Sequence, residues 1–223
     1  MGFTAVESLA EQIAAHLADR IIQGDLHSGE RIQEARVVSE LSVSRGSVRE
    51  ALLLLESRHL IDILPRRGAV VATLTESGVR SLYDVYVTLL SRLAQKVAER
   101  WSDESLPSLL AQVHVIQGLA EQRQPNAFIE AGFGLMKVAF TVADNPYFTQ
   151  LLSDLQPAIH RTYALALRHS VGETSHATQF FTELMNAVIQ RDCAAIPAVV
   201  ERYGQHQCEL VLTALAEPSA LHV

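Results

Sequence analysis

Cysteine is scarce in this sequence. Cys193 and Cys208 are the only two, with no CxxC pair and no dense framework, so free thiols in a reducing cytoplasm are expected rather than a disulfide scaffold. Long apolar runs are missing too: none reaches the ~18–20 residues that span a bilayer. The first residues, MGFTAVESLAEQ, lack a charged region followed by an apolar one, so no signal peptide is expected, and no membrane partner is expected either. An excess of positive charge is absent overall. The net charge is -7 and the pI about 5.7, which excludes a globally basic nucleic-acid binder. Catalytic signatures are absent as well. The chain has no GxSxG, no phosphate loop, no HExxH and no carboxylates paired for acid–base work, so an enzyme is not expected. No internal repeat or low-complexity segment stands out.

What is present is a chain of 223 residues, 48% hydrophobic, enough for two domains with sizeable cores. Its charge is uneven. Between Arg31 and Arg67 seven arginines face five acids, a local +2 that leaves -9 for the remainder. A basic face on an acidic protein suits a regulator that binds DNA through one domain only. The segment from Ser44 to Arg58 concentrates that character. Ser44 is a helix N-cap candidate, and Val48, Ala51, Leu52 and Leu55 recur at the spacing of one buried helical face. Arg45 and Arg49, four apart, share another face beside the hydroxyls of Ser44 and Ser47, and Gly46 lets a backbone approach. Near a helix N-terminus, where free amides and the dipole favour anions, this set fits a DNA groove and its phosphates. Taken alone, the same residues fit an ordinary solvated helix face, so the flanking segments decide.

A helix is predicted over residues 6–23, striped by Leu9, Ile13, Leu17 and Ile21, with Gly24 as its stop. A turn over 25–30 and a short strand at Arg31-Ile32 follow. A second helix over 33–41 buries Ala35, Val38 and Leu41, and Ser42-Val43 connects it tightly to the arginine-bearing helix, a helix-turn-helix pattern. Strands over 59–64 and 69–72 flank Pro65-Arg66-Arg67-Gly68, giving a hairpin with two cations at its tip: a wing suited to the phosphate backbone or the minor groove. Thr73-Leu74-Thr75 is a linker. Six helices are then predicted over 75–101, 103–121, 126–143, 146–169, 175–190 and 193–216. Their breaks fall at Ser102-Asp103, Gln124-Pro125-Asn126, Asp144-Asn145-Pro146, the loop 170–173 and the corner Arg191-Asp192.

On these residues the chain resembles the GntR family of bacterial transcription regulators. The resemblance rests on Ile22–Gly24, Gly29-Glu30-Arg31-Ile32, the block Val43-Ser44-Arg45 with Val48-Arg49-Glu50-Ala51-Leu52, Leu55-Glu56, and the wing Pro65-Arg66-Arg67-Gly68-Ala69-Val70-Val71. The helical remainder resembles the FCD effector domain of the FadR branch through Ser81–Val85, Asp144-Asn145-Pro146 and Arg191-Asp192. Six helices in place of seven suggest the shorter, VanR-like subgroup. The resemblance implies a mostly α protein, with a winged helix-turn-helix over residues 1–74 and an all-α antiparallel effector and dimerisation bundle over 75–223. It also implies DNA contacts from Arg36, Ser44, Arg45, Ser47, Arg49, Arg66, Arg67 and Gly68. A cytoplasmic homodimer on a short inverted repeat of double-stranded DNA is expected.

The sequence departs from that family in one respect. Many members hold a divalent metal through an Asp and three His, and the corresponding positions here are Gly132, Met136, Phe181 and Tyr203, none a good ligand. Tyr86 and Leu90 replace a common arginine and glutamate. No metal and no cofactor are therefore expected. Instead Tyr86, Leu90, Met136, Phe181 and Tyr203 predict an apolar, aromatic pocket for a fatty acid, an acyl thioester or an aromatic acid, with Arg161 as a candidate partner of its carboxylate. The plain alternatives are that these side chains fill the core and that Arg161 is solvated. His160 belongs to the same polar patch as Arg161. His169, His176 and His206 form a further, weaker metal candidate. Other readings of the whole are a metal-dependent carboxylate-sensing regulator of the same family, or a helical interaction protein without an effector.

Overall fold

The computed structural model describes residues 8–169 and 173–217. Two compact units divide after Thr75. In the first, α1 (Leu9–Gln23) starts at a capping box: the Ser8 hydroxyl accepts from the Glu11 amide, and the Glu11 carboxylate accepts from the Ser8 amide at 2.7 Å. Gly24 ends the helix at φ 86°. Ile13, Leu17 and Ile21 of the predicted stripe are buried, whereas Leu9, the first residue of the helix, is exposed. Val6 and Glu7, where the helix was predicted to begin, lie outside the described residues.

Helix α2 (Glu34–Leu41) turns at Ser42, which takes a left-handed conformation, into α3 (Arg45–Ser57). The expected anchors of α2 need correction. Val37 is its buried residue, Val38 and Leu41 are half-buried, and Ala35 is exposed, because the helix is rotated by about one residue against α1 and α3. Helix α3 follows its sequence pattern fully. The Ser44 hydroxyl accepts from the Ser47 amide at 3.0 Å, and Val48, Ala51, Leu52 and Leu55 are buried. Strands β1 (Ile61–Leu64) and β2 (Gly68–Val71) pair antiparallel, with Leu64 opposite Gly68. The segment 29–32 adds a third edge to this hairpin. The Gly29 amide donates to Val71, the Val71 amide to Glu30, and the Ile32 amide to Ala69. The short strand expected at Arg31-Ile32 is thus a single bridge between Arg31 and Val70.

The second unit is built, among the described residues, from six helices: α4 (Glu76–Arg100), α5 (Leu106–Glu121), α6 (Pro125–Ala143), α7 (Pro146–His169), α8 (Glu173–Ile189) and α9 (Ile196–Ala216). The architecture is mostly α throughout, with one two-stranded sheet among the described residues. Three helix starts in this unit differ from expectation by two residues or more. Helix α5 begins at Leu106 rather than 103, because the Ser102 hydroxyl donates to Glu104 instead of capping. Helix α8 begins at Glu173, which was assigned to a loop, and α9 begins at Ile196 after a turn in which Asp192 accepts from the Ala195 amide.

The corner at Arg191 has a clear physical role. Its guanidinium donates to the carbonyls of Ala98, Glu99 and Trp101 at the end of α4 and lies 4.3 Å from the Trp101 ring centre. At the start of α7, Asn145 accepts from the Tyr147 amide at 3.0 Å, just before the helix-compatible Pro146 has set its first turn. Helix α6 is long and apolar enough to cross a bilayer by length and composition. Phe128, Ile129, Phe133, Met136 and Phe140 on it are buried inside the bundle, which is how a core helix meets the same test.

Candidate DNA-binding surface and effector cavity

The first unit gathers the predicted cations on its exposed side. Arg45 and Arg49 are exposed on α3 and Arg36 is exposed on α2. They are not equivalent. The Arg49 Nε lies 3.0 Å from a Glu34 oxygen at the start of α2. The Arg36 Nε lies 2.6 Å from Glu40, which also meets Arg20 at 3.4 Å. The hydrogen bond from Arg36 and its charge hold the Glu40 carboxyl below its ordinary pKa. Arg45 makes no ion pair among the described residues. Ser44 and Ser47 share a contact between their hydroxyls at 2.9 Å, so the cap also orients the second hydroxyl.

At the wing, Pro65, Arg66 and Arg67 span the three-residue loop between paired Leu64 and Gly68. Arg66 and Gly68 both take positive φ, 65° and 76°, and the Arg67 amide donates to the Leu64 carbonyl, so Arg66 is the left-handed third residue of a β-turn in which Pro65 is second. Both arginines are exposed. The Arg31 guanidinium comes within 3.9 Å of where a Cβ on Gly68 would stand. A third cation therefore accompanies the wing. Arg31 was expected in the charge count, in a short strand and in a family motif, without a role at the wing. The bridge from Arg31 to β2 is what carries it there, and the motif Gly29-Glu30-Arg31-Ile32 was its one visible signal.

In the second unit a cavity of about 150 Å³ opens within the bundle. Tyr86, Leu90, Met136, Phe181 and Tyr203, the five predicted pocket residues from α4, α6, α8 and α9, all line it. Polar groups in the lining are few: the hydroxyls of Tyr83, Tyr86, Tyr163 and Tyr203, and the Gln207 amide. The Tyr86 hydroxyl points at the Met136 sulfur at 3.3 Å, and the Tyr203 ring stacks on Phe180 at 4.2 Å. Over Gly132, the Phe181 ring stands 3.3 Å from where a Cβ would be, so an aromatic ring occupies the space of the side chain that the position lacks. Burial pushes the Tyr83, Tyr86, Tyr163 and Tyr203 hydroxyls to higher pKa, so all four stay neutral at physiological pH.

Arg161 is placed differently from expectation. It does not line the cavity, and it is buried rather than solvated, 2% exposed, with burial lowering its pKa to about 10. Its neighbour His160 lies 3.6 Å from Glu130 and packs on Phe133. Of the three weaker metal candidates, the side chain of His169 lies outside the description. His176 and His206 do meet, with ring centres 4.9 Å apart. Between them stands Glu173, a fully buried carboxylate that was assigned to a loop. It accepts from the Tyr203 hydroxyl at 3.2 Å and from the Gln207 amide, and lies 2.8 Å from His206 Nε2. Residues 33 and 34 positions apart in the chain carry no periodic signal, so this network was not legible beforehand.

Comparison with known proteins agrees with this architecture. Residues 9–71 match the family described as bacterial regulatory proteins, gntR family, and residues 81–206 match the FCD domain. The gluconate operon transcriptional repressor of Bacillus licheniformis is 26% identical over 166 residues, covering 74% of this chain and 68% of that protein. The HTH-type transcriptional repressor RspR of Escherichia coli is 22% identical over 201 residues, covering 90% of this chain and 88% of that one. Among solved structures, E. coli McbR/YncC superposes with a TM-score of 0.78 at 17% identity, covering 93% of this chain and 99% of that chain. A putative GntR regulator from Rhodococcus sp. RHA1 gives 0.71 at 18% identity, covering 92% and 98%. These two likenesses concern the fold.

Proposed function

Because the chain belongs to the GntR family of bacterial regulatory proteins and carries an FCD domain, we propose that it is a repressor whose operator binding is controlled by a small, largely apolar molecule held in the bundle. It is a DNA-binding transcription regulator and not an enzyme. The effector class, the release mechanism, the FadR-branch and VanR-like placement, the homodimer and the cytoplasmic location are our reading. The domain roles, DNA binding over 1–74 and effector binding with dimerisation over 75–223, belong to the same reading.

One observation carries the effector class: the cavity of about 150 Å³ with an almost wholly apolar lining. A dry apolar cavity of about that size accepts a single benzene-sized ring. Of the three effector types, an aromatic compound of one ring fits this volume. A long acyl chain needs the bundle to open. The gluconate operon named for a relative is not carried over, since a polyhydroxy acid finds few hydrogen-bond partners among these side chains. DNA contact is assigned to Arg45, Arg49, Ser44 and Ser47 on α3, to Arg36 on α2, and to Arg66, Arg67 and Gly68 at the wing, with Arg31 beside it. The effector changes operator affinity by the difference in its affinity for the two DNA-binding states, commonly about 1–3 kcal/mol.

The test has two parts. Selection from random duplexes with the purified full chain is expected to return an inverted repeat. Native mass spectrometry of the same protein is expected to show a dimer, with a small aromatic adduct or uptake of added one-ring aromatic acids that weakens binding to the selected duplex. A protein that takes up none of them, or whose DNA binding ignores them all, overturns the effector reading.

A further inference from the structure

We infer that Glu173, His176 and His206 form a binding site for a divalent transition metal, zinc or nickel by its donor set, at the end of α8 nearest the polar corner of the cavity. The inference stands on these three residues and is independent of the effector reading.

The donor atoms of the three side chains all lie within 4.8 Å of one another. Glu173 and His176 sit three apart on α8, an E-x-x-H pair on one helical face, and His206 comes from α9. Two imidazole nitrogens and one carboxylate oxygen suit zinc, nickel or iron(II), and leave positions open for water. The His206 Nε2 and Glu173 Oε2 are 2.8 Å apart, and the His176 Nδ1 is 4.0 Å from the same oxygen. Ligands about 2.0–2.2 Å from a tetrahedral zinc stand roughly 3.3–3.5 Å apart. The required adjustment falls mainly on His176, whose side chain is 63% exposed and opens the site to solvent.

Two features of the surroundings point to a cation. The first is the Glu173 carboxylate, with a side-chain exposure of 0%. A buried carboxylate is costly unless its charge is compensated. The Tyr203 and Gln207 donors on its Oε1 are neutral, and on Oε2 it meets His206 at 2.8 Å. They hold its Oε1, which leaves Oε2 turned toward the two histidines, the orienting arrangement usual behind a metal-binding carboxylate. The second is Gln207, 3% exposed, whose amide oxygen has no hydrogen-bond partner among the described residues although its nitrogen bonds both Glu173 and Tyr203. A buried carbonyl left in this way marks a place where water or a hydrated ion completes the network.

The site is distinct from the positions where metal-binding relatives of the family carry ligands. Those positions here are Gly132, Met136, Phe181 and Tyr203, and they form the apolar cavity wall. His206 lies about one helical turn beyond Tyr203. A metal here offsets the negative charge of Glu173 behind Tyr203 and Gln207, at the end of the cavity where polar atoms gather.

The experiment is titration of the tag-free, chelator-treated full chain with zinc and with nickel, followed by calorimetry, and by the visible spectrum after cobalt(II) loading. The variants are His176→Ala and His206→Gln, with circular dichroism to confirm that each remains folded. Equimolar binding to the original chain is expected, with affinity reduced at least about tenfold in each variant. His176→Ala is the informative variant if His206→Gln unfolds, since His176 is exposed. No equimolar binding of either metal overturns the inference. So does binding that survives the removal of His176, because the ligands then lie elsewhere.

Discussion

The Arg49 guanidinium meets the Glu34 carboxylate at 3.0 Å, joining α3 to the first turn of α2. Both groups are substantially exposed, so the pair adds little to folding, at most about 1 kcal/mol. Its meaning is orientation. On the proposed docking, an operator either replaces Glu34 or uses the remaining N–H groups of the guanidinium. Replacing Arg49 by alanine is expected to weaken operator binding by about 1–3 kcal/mol and relax base choice at its position. Replacing Glu34 by glutamine is expected to strengthen DNA binding by a few fold, the worth of an exposed pair of about 0.2–1 kcal/mol. Fluorescence anisotropy with the selected duplex measures both. Unchanged binding in Arg49→Ala means α3 is not the reading helix.

A different kind of contact is proposed for the wing. Arg66 sits at φ 65°, so glycine fits its backbone at least as well as arginine does. Arg66→Gly therefore removes a charge without straining the turn. Affinity is expected to fall for all duplex sequences alike, with the slope of log K against log salt reduced by about 1. Arg31→Ala is expected to do the same in smaller measure, because its guanidinium stands at the edge of the same turn. A sequence-selective loss instead would place these arginines on bases.

The bundle depends on a close approach between α4 and α9. A Cβ on Gly204 would stand 2.2 Å from a Val87 methyl carbon, which no rotation of a short branched side chain relieves cheaply. Gly204→Ala is expected to destabilise the bundle by about 1–3 kcal/mol, the usual cost of overpacking. Val87→Ala in the same chain is expected to recover part of that loss. Denaturant unfolding of the two single variants and the double variant gives the coupling. Additive losses would mean that the two positions do not touch.

Leu90 lines the cavity from α4. Leu90→Trp is expected to occupy the space and abolish the response to a one-ring effector, leaving operator affinity within about twofold, as expected of a site distinct from the DNA surface. Met136→Ala is expected to enlarge the cavity and shift preference toward larger rings, at a stability cost of about 2–5 kcal/mol. Effector dose–response curves on the selected duplex distinguish the two. A response unaltered by Leu90→Trp puts the effector elsewhere.

The buried tyrosines make stability depend on alkaline pH with a definite sign. In the unfolded chain each loses its proton near pH 10, while in the folded bundle burial raises the pKa of Tyr83, Tyr86, Tyr163 and Tyr203. Above pH 10 the folded state thus binds more protons than the unfolded one, and stability falls as pH rises. The stabilisation is complete below pH 10. Absorbance at 295 nm is expected to show these four ionising together with unfolding, not before it. Ionisation of all the tyrosines while helicity persists would contradict their burial.

Local chemistry and periodicity were enough to read much of this chain from its residues. Ser44 caps α3 and four apolar residues at helical spacing are buried beneath it, because cap and stripe are both written within a few residues of the helix they build. The wing was legible for the same reason, and so were the end of α1 at Gly24 and the breaks of the bundle at Asp144 and Arg191. The five cavity residues were named through the family resemblance, which aligns positions no periodicity connects. Tertiary packing decided the rest. It rotated α2 so that Val37, not Ala35, faces inward, and it buried Arg161 away from the cavity. It also set Arg49 against Glu34, fifteen residues away, carried Arg31 to the wing, and closed Glu173 onto His206 from another helix. Contacts between distant segments depend on how helices cross and turn against one another, and no single segment of sequence contains that angle.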